Sequence, residues 1–346
     1  MAEQLGLPLL SVVSPAQRLS VLDERLRGTR FVSLAPQRVL NPPSQTGMDF
    51  WSLNPYVGCE FGCSYCYARY AHRYVVERAH RAGKLTDAEL ADYRGPHGWE
   101  AFERRIFVKE QILGALETDL RRLPPGQTVV IGTATDPYQP AERRFRITRR
   151  VLERLARCEA LNVGIITKSP LIARDVDVLR AIRERSDLEV HISLISVDAA
   201  LIKRVEARSP TPATRLRALE KLVAAGVRAG LIVAPVLPGI TDDVAHLEAL
   251  FRAARDAGAR FVHAGPLRLY AAVRDRFLPV LEEGFPDLVA RYRHAYEGRS
   301  GVPPAYARAL AARVKKLQAR FGFPINDGMV DRYRPRHAPV QGSLDL

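Results

Sequence analysis

The chain has 346 residues, 47% of them apolar, which is enough for one large domain with appendages or for two domains. It contains no run of eighteen apolar residues, which argues against a membrane span, and residues 1–20 lack the basic segment that opens a signal peptide. We therefore expect an unprocessed, soluble, cytoplasmic protein. Lysine plus arginine number 52 against 38 acids, and this charge of +14 favours a polyanionic partner, nucleic acid above all, although a general arginine bias would give the same excess.

Residues 1–48 are polar with scattered prolines, and they predict an N-terminal arm with one short helix near residues 21–27. Beyond residue 48 the pattern changes to alternating strand and helix signals. A charged helical insertion is expected at 68–105, and a C-terminal helical extension at 271–346, with its clearest helix at 303–321. Apolar, β-branched runs predict strands near 51–54 and at 128–133, 162–167, 189–196, 228–236 and 260–264.

The predicted strands alternate with helices at intervals of roughly 30 residues, which indicates a parallel sheet with right-handed crossovers. We therefore predict an α/β core over residues 49–270, long enough for a partial or a full barrel. In either architecture the chemistry belongs at the carboxyl ends of the strands.

Three of the four cysteines, Cys59, Cys63 and Cys66, follow the first predicted strand with C-x3-C-x2-C spacing. Cysteines packed this closely in a reducing compartment indicate metal ligation and not a disulfide framework. The glycines at 58 and 62 permit the tight turns that such a loop needs. Iron–sulfur cubes normally take four thiolates, so three would leave one iron open to an external ligand.

A zinc knuckle is the alternative interpretation of this motif, with His72 as its fourth ligand. Zinc sites favour paired ligand spacings and closed tetrahedral coordination, and His72 stands at an unusual spacing for such a site. It is better explained as a surface or insertion residue. The fourth cysteine, Cys158, stands alone and is predicted to be a small, buried or half-buried residue within a helix.

The cysteine motif ends in the pair Cys66–Tyr67 after the first strand of a βα chain, and in this it resembles the radical S-adenosylmethionine (SAM) superfamily. The resemblance implies a partial (β/α)6 TIM-like barrel and a [4Fe–4S] cluster on the three cysteines, its open iron chelated by the amine and carboxylate of SAM. In that superfamily one electron splits the sulfonium into methionine and a 5′-deoxyadenosyl radical. By resemblance, Tyr67 lies against the adenine, and a reductant such as flavodoxin or ferredoxin supplies the electron.

Polar residues stand at or just beyond the ends of the next three predicted strands, where a barrel has its mouth. Asp136, next to Thr135, could pair with the SAM ammonium, and Lys168 could meet the carboxylate or the ribose. Ser193 points inward if the strand alternation holds, and it suits a ribose hydroxyl or carboxylate. The alternatives are an ordinary Asp-Pro turn and a solvated lysine.

Three further residues stay undecided at this point. His191 shares the parity of Ser193, but a satisfied core histidine explains it equally well. Glu206 and Arg208 follow the fourth of the main strands and could bind substrate or each other.

The segments 54–70, 106–109, 133–142, 166–169, 191–198 and 234–242 together resemble the spore photoproduct lyase-like branch of the superfamily. In the lyase a cysteine at the end of the second strand returns a hydrogen atom to the product radical. Thr133 stands at that position here, and its O–H bond is too strong for the role. The insertion at 68–105 departs from the lyase as well.

We therefore predict a radical SAM enzyme that abstracts hydrogen from a substrate, with nucleic acid as the first hypothesis and spore photoproduct itself disfavoured. The sequence identifies no catalytic residue beyond the cofactor ligands. A radical SAM enzyme for a protein or small metabolite, and a non-catalytic metal-stabilised nucleic-acid-binding module, are the alternatives.

Overall fold

The computed structural model describes residues 20–24, 28–94 and 98–325. The strands in chain order are β1 (Val21–Glu24), β2 (Arg30–Ser33), β3 (Leu40–Asn41), β4 (Trp51–Leu53), β5 (Tyr56–Val57), β6 (Arg105–Val108), β7 (Thr128–Ile131), β8 (Asn162–Thr167), β9 (Asp187–Ser193), β10 (Ala229–Val236) and β11 (Val262–Pro266). The α-helices are α1 (Pro43–Thr46), α2 (Arg69–Arg81), α3 (Asp87–Arg94), α4 (Gly98–Arg104), α5 (Ile112–Leu120), α6 (Glu142–Phe145), α7 (Ile147–Leu155), α8 (Val176–Arg185), α9 (Ala199–Val205), α10 (Pro212–Ala224), α11 (Val244–Asp256), α12 (Ala271–Gly284), α13 (Val289–Ala295) and α14 (Pro304–Arg320).

Within the described ranges, seven strands form the main sheet in the order β11-β10-β9-β8-β7-β4-β3. All neighbouring pairs from β4 to β11 are parallel, and β3 pairs antiparallel with β4 at one edge. The six parallel strands are the six that the sequence predicts. The α/β fold with a parallel, barrel-like sheet is therefore confirmed, and it places the carboxyl ends of all six strands on one side.

The two faces of the sheet differ in chemistry, as β9 illustrates. Val190 and Ile192 are fully buried and share one core with the apolar stripes of α7, α8, α10 and α11. Glu189, His191 and Ser193 occupy the alternate positions and therefore face away from those helices. Side chains on this second face can reach ligands at the mouth of the barrel.

A smaller sheet, with the order β1-β2-β6-β5, packs beside the main one. The helix predicted near residues 21–27 is wrong over its described part, because Val21–Glu24 forms a strand that pairs antiparallel with β2. Strand pairing here overrides a weak local helix signal. Residues 25–27 and 1–19 lie outside the described part of the chain. Since β5 leads straight into the cysteines, this sheet fixes the start of the cysteine motif.

The predicted insertion at 68–105 contains α2, α3 and α4, as expected for a helical segment. The C-terminal extension is also helical over its described residues, and α14 coincides with the predicted helix at 303–321. Leu310, Val314 and Leu317 of α14 belong to the same core as the main sheet. Among the described helices, none combines the length and apolar character that crossing a bilayer requires.

Candidate active site at the carboxyl ends of the strands

The cysteine loop, residues 58–66, is a tight and buried turn. Cys59 and Cys63 are buried and Cys66 is partly buried. Gly58 has φ +90°, and a Cβ there would lie 2.8 Å from a backbone carbonyl oxygen of α4. Gly62 has φ +65°, and a Cβ there would lie 2.7 Å from the guanidinium of Arg208. Both positions therefore require glycine, as the motif suggests.

Backbone hydrogen bonds hold this loop against two neighbouring segments. The Cys59 amide donates to the Phe102 carbonyl at 2.9 Å, and the Ser64 amide donates to the Val205 carbonyl at 2.9 Å. Cys63 forms an isolated antiparallel bridge with Glu206. The loop is thus clamped between the end of the insertion and the segment that follows α9.

A third segment, the loop after β7, holds the cysteine loop through side chains. The Thr135 hydroxyl donates to the Gly58 carbonyl at 2.5 Å, and the Gln139 amide donates to the same oxygen at 3.1 Å. The Gln139 carbonyl oxygen accepts the Glu60 amide at 3.0 Å. Thr135, predicted as a SAM contact, is therefore bonded to the cysteine loop itself.

The electrostatics of the loop suit thiolates only when a cation neutralises them. Burial raises the pKa of all three thiols, and the Asp136 carboxylate raises that of Cys59 further. In the opposite direction, the Lys168 ammonium lowers the pKa of Cys63 and the Arg69 guanidinium lowers that of Cys66. Metal coordination supplies the positive charge that such buried thiolates need.

The donor set suits an iron–sulfur cluster, because three thiols stand in one loop and thiolates are the ligands of such clusters. In an iron–sulfur cube each thiolate binds a different iron, so three thiolates leave one iron for another ligand.

His72, the fourth ligand in the zinc alternative, is a core residue of α2. Its Nε2 lies 2.9 Å from the Arg105 carbonyl, and its ring packs on Tyr93, Phe102 and Phe107. Burial lowers its pKa to about 4. It lies in the insertion, as expected, but inside the protein and not at the surface.

Two predicted SAM contacts, Lys168 and Ser193, meet in the structure. The Lys168 Nζ donates to the Ser193 Oγ at 3.0 Å and lies 5.8 Å from the ring centroid of Tyr65. Burial lowers the pKa of Lys168, but the negative charges of Cys63 and Glu206 outweigh this and leave it above the usual value. The ammonium therefore stays charged beside the cysteine loop.

The Asp136 carboxylate organises the ends of β7 and β8. One oxygen accepts the Thr167 hydroxyl at 2.7 Å and the Tyr138 amide at 2.9 Å, and the other accepts the Lys168 amide at 2.7 Å. Burial raises its pKa, and these hydrogen bonds oppose the rise. Asp136 thus aligns the strand end that carries Lys168.

Tyr67 lies across the end of β7, partly exposed to solvent. Its hydroxyl donates to the Thr133 carbonyl, and 36% of the residue is exposed. The Thr133 hydroxyl accepts the Asn54 amide at 3.1 Å. The structure therefore gathers Tyr67, Asp136, Lys168 and the cysteine loop at one edge of the sheet.

Comparison with known proteins identifies the family. A model of the radical SAM superfamily matches residues 53–251. The chain belongs to this superfamily. An uncharacterised protein of Mycobacterium tuberculosis is 32% identical to this radical SAM enzyme over 307 residues, which cover 87% of the chain and 84% of the relative. An uncharacterised protein of Methanocaldococcus jannaschii is 25% identical over 211 residues, which cover 61% of the chain and 69% of the relative.

Solved structures support the same fold. Spore photoproduct lyase with bound AdoMet and dinucleoside spore photoproduct matches with a TM-score of 0.59 and 15% identity, over 85% of this chain and 80% of the lyase. A second structure of the lyase, a tyrosine-to-phenylalanine variant, matches with a TM-score of 0.59 and 13% identity, over 84% of this chain and 79% of the lyase. At these identities the likeness concerns the fold, and the partial barrel expected from the sequence is confirmed.

Several ion pairs of buried side chains at this radical SAM site were not predicted from the sequence. Glu206 and Arg208 do not pair with each other: Glu206 pairs with Arg215, and Arg208 pairs with Glu103. Glu103 also binds Arg69 at 2.7 Å. The available signal was periodicity, because Arg215 shares the buried face of α10 with Leu219 and Leu222.

Two other expectations concern residues outside the site. His191 is buried and packs on Phe261 and His263, with ring centroids 4.8 and 5.7 Å away, so it belongs to the interior. Cys158 is half-buried, as predicted, but it follows the end of α7 at Leu155 and is not within the helix.

Proposed function

We propose that Cys59, Cys63 and Cys66 hold a [4Fe–4S] cluster and that SAM binds beside it at the mouth of the barrel. The observation that carries the proposal is a loop of two buried thiols and one partly buried thiol next to the hydrogen-bonded pair Lys168–Ser193. When bound, the cluster would supply the electron that splits the SAM sulfonium into methionine and a 5′-deoxyadenosyl radical, which abstracts hydrogen from the substrate.

The residues of the chain would bind and orient SAM. Ser193 takes one of the three N–H donors of the Lys168 ammonium, and we assign the others to the SAM carboxylate. The Asp136 oxygen that accepts the Lys168 amide can accept a second bond, which suits the SAM ammonium. Thr135, which bonds to the Gly58 carbonyl, would lie beside SAM, and the partly exposed ring of Tyr67 would lie against the adenine.

The substrate class we propose is nucleic acid. Several exposed cationic and aromatic residues come after the carboxyl ends of β7 and β11 and after the cysteine loop: Arg143 and Arg146, Arg268 and Tyr270, and Tyr67. Cationic and aromatic side chains at a rim suit phosphates and bases. The structural neighbour with a bound dinucleoside lesion supports this choice, although Thr133 argues against the same lesion here.

Anaerobic reconstitution with iron and sulfide, followed by dithionite and SAM, tests the chemistry. We expect 5′-deoxyadenosine and methionine from the native chain and neither product from Cys66→Ala. Cys158→Ala is the matched control, because this thiol lies outside the cysteine loop, and it should keep native activity. A reconstituted native chain that binds iron but never yields 5′-deoxyadenosine would refute the proposal.

The substrate is tested by adding single-stranded DNA, duplex DNA or RNA to the same reaction. Nucleic acid should stimulate 5′-deoxyadenosine formation, whereas heparin, a polyanion without bases, should not. Stimulation by peptide or metabolite fractions alone would favour the protein or small-metabolite alternative. We further propose a cytoplasmic setting with flavodoxin or ferredoxin as the reductant, and either protein should replace dithionite.

A further inference from the structure

Arg215 and Glu206 form an ion pair in the interior beside the cysteine loop. Both side chains are completely shielded from solvent. Every described partner of the pair is polar: Glu206 also accepts the Ser209 hydroxyl at 2.6 Å, and Arg215 also donates to the Pro210 carbonyl at 2.9 Å. A buried ion pair seldom stabilises a fold more than apolar residues of similar volume would, because both charges lose their hydration. What it contributes is a set of directional bonds.

One half of the pair is bonded to the cysteine loop. The backbone of Glu206 forms the bridge with Cys63, and its carboxylate accepts the hydroxyl of Tyr65. Glu206 therefore contacts the loop on both sides of Ser64, through its backbone at Cys63 and through its carboxylate at Tyr65, and the Ser64 amide itself is bonded to Val205. Any shift of Glu206 would move the backbone that carries Cys63.

The other half is bonded to the end of β9. The Arg215 Nη1 donates to the Ser193 carbonyl at 2.9 Å, and the Ser193 hydroxyl accepts the Lys168 ammonium at 3.0 Å. A continuous chain of bonds thus runs from Cys63 through Glu206 and Arg215 to Ser193 and Lys168. It spans the separation between the cysteine loop and the pair that we assign to the SAM carboxylate.

We propose that Arg215 and Glu206 are positioning residues that fix the SAM-binding pair Lys168–Ser193 at a set distance from the cysteine loop. This inference rests on the proposed function and adds to it a role for two residues that touch neither cofactor. The planar guanidinium is needed because its separate N–H groups bind Glu206, Ser193 and Pro210 at once, which a lysine ammonium at the same position cannot reproduce.

The test compares Arg215→Lys, Glu206→Gln and the milder Ser209→Ala, which removes one bond from each partner and leaves both charges paired. Arg149→Met is the matched control, because Arg149 pairs with the fully buried Asp175 away from the cysteine loop. Each variant is reconstituted anaerobically, its iron content and thermal unfolding are measured, and SAM is titrated against the EPR spectrum of the reduced cluster.

We expect Arg215→Lys and Glu206→Gln to bind iron near the native level but to need about 10-fold more SAM for the spectral change, the loss of about one charged hydrogen bond. Ser209→Ala should show a smaller shift of the same sign, and Arg149→Met should lose stability without any shift. Should the first two variants fail to fold, the SAM titration of Ser209→Ala decides: a shift supports the inference, and a native titration contradicts it.

A native SAM titration in variants that unfold earlier would reduce the pair to a structural role and overturn the inference. A reconstituted native chain whose reduced cluster ignores SAM would overturn the proposed function and, with it, the inference. The two failures are distinguishable because the second appears before any substitution is made.

Discussion

Replacing Glu103 should destabilise the protein by weakening the contact between the insertion and the cysteine loop. Glu103 is 3% exposed and binds Arg69, itself 2% exposed, at 2.7 Å. Arg69 also donates to the Cys63 carbonyl at 2.8 Å. Arg208 and Arg276 complete the cluster, but Arg208 is 40% exposed, so water already solvates much of its charge.

The size of the loss in stability depends on which buried charge the substitution leaves without a partner. Glu103→Ala would leave the Arg69 guanidinium buried without its carboxylate, which costs about 3–5 kcal/mol. That is a large part of the roughly 5–15 kcal/mol typical of a folded domain, so the milder Glu103→Gln is the first measurement. Glutamine keeps the size and one acceptor oxygen, and we expect it to cost about 2 kcal/mol.

Urea unfolding of the purified chain, followed by circular dichroism, measures this effect. With a slope of about 3 kcal/mol per molar urea, a loss of about 2 kcal/mol lowers the midpoint by about 0.7 M. Glu117→Gln is the control, because Glu117 pairs with Arg154 at the surface and should leave the midpoint unchanged.

A double-mutant cycle decides whether the Arg69 charge is the cause. Arg69→Met added to Glu103→Gln should cost less than the sum of the two single changes, because neither buried charge then remains unpaired. Strict additivity, or a Glu103→Gln midpoint equal to that of Glu117→Gln, would refute the reasoning.

Three further predictions concern other parts of the site. Burial depresses the pKa of His72 to about 4 in the folded state, so between about pH 6.5 and 4 only the unfolded chain binds the proton. The free energy of unfolding should therefore fall by about 3 kcal/mol as the pH drops through this range. His72→Gln should flatten this part of the stability profile in urea unfolding at several pH values. Gly58→Ala should lower the iron bound after reconstitution, since its Cβ would meet a backbone oxygen, whereas Gly114→Ala, in open space, should not. Thr211→Ala should cost about 1 kcal/mol in thermal melts, because the Thr211 side chain caps α10 by accepting the Thr214 amide, and an unchanged melting temperature would contradict this.

The main sheet was predictable because each of its parallel strands is a short apolar run and these runs recur at regular intervals along the chain. Residues 162–167 were predicted as a strand and form β8 without any shift, since both faces of this central strand are covered. The small sheet was not predictable in the same way. Val21–Glu24 is short and half of its residues are acidic, and only its pairing with β2 makes it a strand.

At the site, too, features encoded by local sequence were predictable, and features that depend on long-range contacts were not. The cysteine spacing is a local pattern, so the grouping of Cys59, Cys63 and Cys66 in one loop was recognisable from the sequence. The partners of Glu206 were not, because Arg215 and the cysteine loop approach it through the fold and no sequence spacing encodes that approach. Periodicity could identify Arg215 as inward-facing, but it could not say which carboxylate it meets.

The insertion at 68–105 illustrates how a departure from a familiar pattern can be part of the site. By sequence it is an addition between the cysteine motif and the second main strand. In the structure, Phe102 accepts the Cys59 amide, and Glu103 and Arg69 lie against Gly62 and the Cys63 carbonyl. The insertion therefore forms one wall of the cysteine loop, beside the segments that follow α9 and β7, which also hold it. A segment that the sequence sets apart from the βα core is thus, in physical terms, one of the three segments that hold the cysteine motif in place.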